Sequence, residues 1–96
     1  MQITTSSNSV NITGNIKSIT DYQEIKKAIN TIVDEHKTVN ITIQDSLSIT
    51  SSIIGYFNKL VLKDAIKINM QVGSEQLLEL LEDLSLTSTF NVRKVH

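Results

Sequence analysis

Apolar residues recur along this chain with two different periods, and the changes of period mark where the elements begin and end. Val39, Ile41 and Ile43 alternate with Asn40 and Thr42, and later Ile66, Ile68, Met70 and Val72 alternate with Lys67, Asn69 and Gln71. A period of two puts each apolar set on one face of a β-strand. Over 21–37 the spacing is helical instead, with Tyr22, Ile25, Ile29, Ile32 and Val33 on one stripe. Two capping boxes mark the start of that helix, Thr20 with Gln23 and Asp21 with Glu24. Ile53, Ile54, Phe57, Leu60 and Val61 predict a second helix. Leu77, Leu78, Leu81 and Leu84 predict a third, entered through Gly73 and a Ser74 cap. At the front, Gln2–Thr4 and Ser9–Thr13, separated by a Ser/Asn-rich turn, predict a hairpin, and Phe90 with Val92 predicts a short last strand.

The resulting order is ββαβαβα with a final β. Strands that alternate with helices of this length require crossover connections, so the later strands should run parallel, with the helices packed on the sheet. The alternation suggests that one sheet face stays partly polar, with the helices mostly covering the other. The expectation is an α/β two-layer sandwich, a single domain over 1–96, with three main helices and a mixed, mainly parallel sheet of about five strands. No linker or internal repeat divides the chain.

Composition narrows what such a domain does. Aromatic residues make up only 4% against 40% hydrophobic, so Ile, Leu and Val must build the core. The net charge is −1 and no basic run exceeds Lys26-Lys27 or Arg93-Lys94, which argues against nucleic acid as a partner. Absence of cysteine removes disulfides, thiol catalysis and cysteine zinc sites. Met1–Ser7 has neither a basic nor an apolar leader region, and no apolar run approaches the ~20 residues of a membrane span. A cytoplasmic chain without membrane insertion is expected.

Residues for catalysis are missing. His36 beside Asp34 and Glu35 lacks metal-ligand spacing and reads as a cation at a helix C-terminus; His96 ends the chain and reads as frayed. No serine stands in a hydrolase motif, and Gly14, Gly55 and Gly73 form no phosphate-cradling loop. The expectation is a non-enzyme without metal or cofactor. Glu75, Glu79, Glu82 and Asp83 read as the solvated face of the last helix, with docking as the alternative. Tyr56, near Lys59, either anchors an interface as an exposed aromatic or packs on a neighbouring helix.

The densest polar feature is Ser46-Leu47-Ser48-Ile49-Thr50-Ser51-Ser52, between a strand and a helix, where five of seven residues carry hydroxyls. Helix capping accounts for one or two of them. A phosphate placed there would meet unpaired backbone N–H groups and the positive end of the helix dipole. It would also add about −1.5 to −2 of charge to any surface that covers the helix start.

These residues also carry a resemblance. Val10-Asn11-Ile12-Thr13-Gly14-Asn15-Ile16 followed by Ile25 and Ala28-Ile29, then Ile41-Thr42-Ile43 followed by Thr50-Ser51-Ser52-Ile53-Ile54-Gly55-Tyr56-Phe57, are similar to two blocks of the STAS domain family. Ile68–Val72, then Ser74, Leu77-Leu78, Leu81, Leu84, Leu86, Phe90 and Val92, resemble its last strand–helix–strand. The resemblance implies an anti-sigma factor antagonist, a partner-switching protein whose serine is phosphorylated by an anti-sigma kinase that brings its own nucleotide and Mg²⁺. It makes Ser51 the candidate acceptor, with Ser52 next to it, and Ser48, Thr50, Ser51, Ser52, Ile53 and Tyr56 the candidate partner-binding residues. Thr50 stands where the family carries Asp, Ile53 where it carries Gly, and the loop before Thr50 is a couple of residues short. The alternative role within the family is a phosphorylation-independent adaptor subunit, as in lipid-transport ATPase complexes.

Overall fold

Hydrophobic alternation pairs in register to build the sheet. The computed structural model describes residues 1–95. Its elements are β1 (Gln2–Ser6), β2 (Ser9–Thr13), α1 (Ile19–Val33), β3 (Thr38–Ile43), α2 (Ser51–Leu62), β4 (Lys67–Val72), α3 (Glu75–Asp83) and β5 (Val92–Lys94). The strands lie in the order β1-β2-β3-β4-β5, with β1 antiparallel to β2 and every other pair parallel. Register places Val10 against Ile41 and Ile41 against Met70, then Ile12 against Ile43 and Ile43 against Val72. All are fully buried beneath the helices, which contribute Ile25 and Ile29, Ile53, Phe57 and Leu60, and Leu77 and Leu81. Burying each such side chain contributes about 1.5–3 kcal/mol relative to exposure.

The other face of the sheet is uncovered and polar. Asn11, Thr42, Gln71 and Arg93 lie in one cross-strand row. The Asn69 amide donates to Asn40 Oδ1 at 3.2 Å, and the Gln44 amide to Asn11 Oδ1 at 2.9 Å. The fold is therefore the expected two-layer α/β sandwich.

Four local expectations are corrected. First, α1 starts earlier than the Thr20 and Asp21 boxes imply. Ser18 is its N-cap, accepting from the Asp21 N–H at 3.0 Å, while Asp21 Oδ2 reaches back to the N–H groups of Ser18 and Lys17. A short Asp thus fills the role usually taken by Glu or Gln at the third helical position. The added residues at the start include Ile19, which is 76% exposed, so the apolar stripe gives no sign of them.

Second, α1 ends at Val33 and does not continue to Lys37. The N–H groups of Glu35 and His36 both donate to the Ile32 carbonyl, turning the chain into β3; His36 lies past the helix, and His96 lies outside the described residues. Third, β1 runs on to Ser6, and Ser7 makes the tight hairpin turn at φ 55°. Fourth, Phe90 precedes β5 and belongs to the core, edge-on to Phe57 at 5.7 Å and 88°.

One glycine is dictated by packing. A Cβ on Gly73 would stand 1.9 Å from the Gln44 carbonyl oxygen, where the ends of β3 and β4 meet.

The cap correction is directly testable. Ser18→Ala is expected to cost about 1 kcal/mol, whereas Thr20→Ala stays within about 0.5 kcal/mol of wild type, as read by urea denaturation. The N–H of Lys17, and then Ser18, hold the Asp21 carboxyl below its usual 3.8. Its contribution is accordingly present above that pH and lost as pH falls through the lowered value.

A candidate protein-interaction site at the start of the second helix

Parallel strands joined by helices bring the β2–α1 and β3–α2 loops together at one end of the sheet. Hydrogen bonds then lock the two loops to each other. Gly14 N–H donates to Asp45 Oδ1 at 2.7 Å, Ile16 N–H to Ser46 Oγ at 2.9 Å, and Leu47 N–H to Asn15 Oδ1 at 3.1 Å. Ser46 is the buried polar side chain among the described residues, and its hydroxyl also donates to the Ser48 carbonyl at 2.7 Å. Buried Ile49 pins the far end of the loop to the core.

The five hydroxyls consequently divide by role. Ser46 bridges loops, and Thr50 caps α2 by accepting from the Ile53 N–H at 3.3 Å. Ser48, Ser51 and Ser52 are exposed, the last two in the first turn of α2, which contains no acidic residue. The positive end of the helix dipole is therefore not offset by local carboxylates.

Two expected contact residues are not at the surface. Ile53 is 0% exposed, because the third helical position turns it onto the sheet beside Phe57. Tyr56 is 6% exposed and packs between α2 and α1, its hydroxyl donating to Asn30 Oδ1 at 2.5 Å. A partner cannot touch Ile53 without unfolding the helix start, and reaches Tyr56 only at its rim. The spacing of Ile53, Phe57 and Leu60 carried that signal, since all three belong to one helical stripe.

In exchange, the structure adds Leu47, Lys26 and Asn30, which the sequence pattern does not mark as contact residues. Leu47 is 50% exposed, an apolar side chain at the tip of the hydroxyl-rich loop. Its signal was present: it lies outside any helical or strand periodicity. Along the α1–α2 seam runs a groove of about 360 Å³ in which Ser52, Gly55 and Lys59 face Tyr22, Lys26 and Asn30. Lys26 Nζ stands 5.8 Å from the Tyr22 ring centre and 5.9 Å from that of Tyr56, within cation–π range. Lys59 pairs with Asp64 at 3.4 Å, with both side chains well exposed. Elsewhere Glu75, Glu79, Glu82 and Asp83 are all exposed along α3, and Lys94 comes within 3.7 Å of Glu75.

Among the described residues, no group of three or more His, Asp or Glu side chains could hold a metal ion, and no helix is long and apolar enough to cross a membrane. Compared with known proteins, the chain matches no family model, no curated protein and no solved structure.

Two predictions follow from the geometry. Ser46→Ala strips the buried Ile16 N–H of its acceptor and is expected to cost about 1–3 kcal/mol, while Ser48→Ala and Ser51→Ala stay within about 0.5 kcal/mol. Thermal melting of the three variants separates the bridging hydroxyl from the free ones. Burial, followed by the nearby Tyr22, Asp64 and Asp34, pushes the Tyr56 hydroxyl from 10.0 up to about 12. The folded chain then holds this proton more tightly than the unfolded chain, so stability is complete below pH 10 and falls as pH rises through 12. Tyr56→Phe is expected to remove that alkaline fall in a series of urea midpoints.

Proposed function

We propose that this chain is a STAS-type protein-interaction module, a cytoplasmic partner-switching regulator that acts in the manner of an anti-sigma factor antagonist. The observation that carries the reading is the pair of exposed hydroxyls of Ser51 and Ser52 on the first turn of α2, presented by a loop already locked in place. Preorganisation of this kind lowers the ordering cost of binding. Exposed Leu47 supplies an apolar contact beside them. The partner is a serine kinase of the anti-sigma type. Its nucleotide gives up the γ-phosphoryl: the Ser51 Oγ–P bond forms as the bond to the leaving diphosphate breaks, and the hydroxyl proton passes to a base on the partner. The new charge at the helix start, with Ser52 as second acceptor, then disfavours the surface that had covered it.

A second reading rests on its own observation. Thr50 offers no carboxylate beside Ser51 and is engaged as a cap, while Asp45, the acid of the same loop, turns Oδ1 to the Gly14 N–H. The same surface would then serve a constitutive adaptor, for example one bound to an ATPase subunit of a transport complex.

One experiment separates them. The tagged protein is purified from its host, its partners and the 45–59 region are identified by mass spectrometry, and Ser51→Ala and Ser51→Asp are compared for binding. A switch predicts phosphate on Ser51 in the unbound pool and at least about tenfold weaker binding by Ser51→Asp, the signature of a new charge at an interface. Equal affinities for the two variants end the switch reading. Leu47→Asp weakens binding in either role and leaves the core untouched.

A further inference from the structure

The two edges of the sheet are treated differently. β5 is only three residues long, and two of them are Arg93 and Lys94. Short, charged edge strands discourage pairing with another chain. β1 has five residues, Gln2-Ile3-Thr4-Thr5-Ser6, without a charge or a proline, and it pairs with β2 through five consecutive partners without a bulge. None of the usual protections is present on it, and among the described residues no strand covers its outer edge.

The adjoining helix layer is also incomplete there. Between β1 and α1 lies a groove of about 620 Å³, with half-buried Ile3 and Ala28 and buried Ile32 along its floor and Glu24, Lys27 and Glu35 on its rim. An open strand edge beside an unfilled groove, with an apolar floor at Ile3, Ala28 and Ile32 and polar walls, fits another strand whose side chains reach the groove.

We infer that the occupant is a second copy of this chain, paired β1 to β1 antiparallel about a two-fold axis at Thr4, so that two five-stranded sheets become one. Self-pairing sets Thr4 against Thr4, Ile3 against Thr5 and Gln2 against Ser6, which brings no like charges together. Ile3 and Thr5 share the helix-side face with their β2 partners Ile12 and Val10, so both point to the groove layer in each copy. α1 runs in the direction of β1, since it returns from the end of β2 to the start of β3. The two-fold therefore runs the α1 helices antiparallel, so that the rims carrying Glu24, Lys27 and Glu35 face each other in opposite directions. That rim carries both signs of charge, two Glu and one Lys, so Lys27 of each copy can meet an acid of the other across an isologous interface.

The test uses the full chain in sedimentation equilibrium across micromolar to millimolar concentrations. Wild type is expected to reach twice its 10.7 kDa mass. Thr4→Lys and Thr4→Glu each place like charges face to face on the axis and are expected to weaken association at least about tenfold, while an equimolar mixture of the two restores it. Thr4 is exposed, so both variants should melt like wild type at low concentration; Lys27→Glu, which leaves β1 intact, should also weaken the dimer. A chain that stays monomeric at millimolar concentration overturns the proposal. So does a dimer indifferent to charge at Thr4.

Discussion

Parallel pairing of β2, β3 and β4 is the constraint from which the rest of this molecule follows. β3 is the middle strand, and Val39, Ile41 and Ile43 are sealed between flanking strands and the helices above. A strand paired parallel on both sides can be connected only by crossovers, and right-handed crossovers put every helix on the same face. All three helices then begin at the same end of the sheet. There the caps Ser18, Thr50 and Ser74 each take an N–H from the first turn of their helix.

That arrangement makes one end of the sheet the natural place for chemistry or contact. Three helix starts, each with the positive end of its dipole, gather around loops that the strands hold a few ångströms apart. The β2–α1 and β3–α2 loops are close enough to bond through Asp45, Ser46 and Asn15. Rigidity there comes from polar bonds to a buried serine, whereas rigidity below comes from aliphatic packing. The exposed hydroxyls of Ser51 and Ser52 stand between these two regimes, fixed in position by the first and anchored by Ile53 through the second.

The polar sheet face and the bare β1 edge have a common origin. With helices on one side only, the alternation in β3 and β4 must present Asn40, Thr42, Asn69 and Gln71 to water. The hairpin adds β1 as an antiparallel end strand, and no crossover helix follows to cover its flank; α1 serves β2 and β3 first. The groove beside Ile3 is the space left by that shortfall.

Element types and order were legible in the chain because periods of two and 3.6 report directly which residues share a face. The helix-facing residues of β3 and β4 and the stripe of α2 could be read with no structure at all. Boundaries were less legible. Ser18 caps α1 through an Asp that competes with two nearby candidate boxes, and exposed Ile19 carries no periodic signal. For the hydroxyl cluster, spacing located the run but could not apportion it. Whether a serine bridges, caps or stands free depends on partners some 30 residues away, such as the Ile16 N–H that Ser46 accepts. Local pattern thus defined the layers, and the long-range pairing of loops across parallel strands decided which side chains reach the surface.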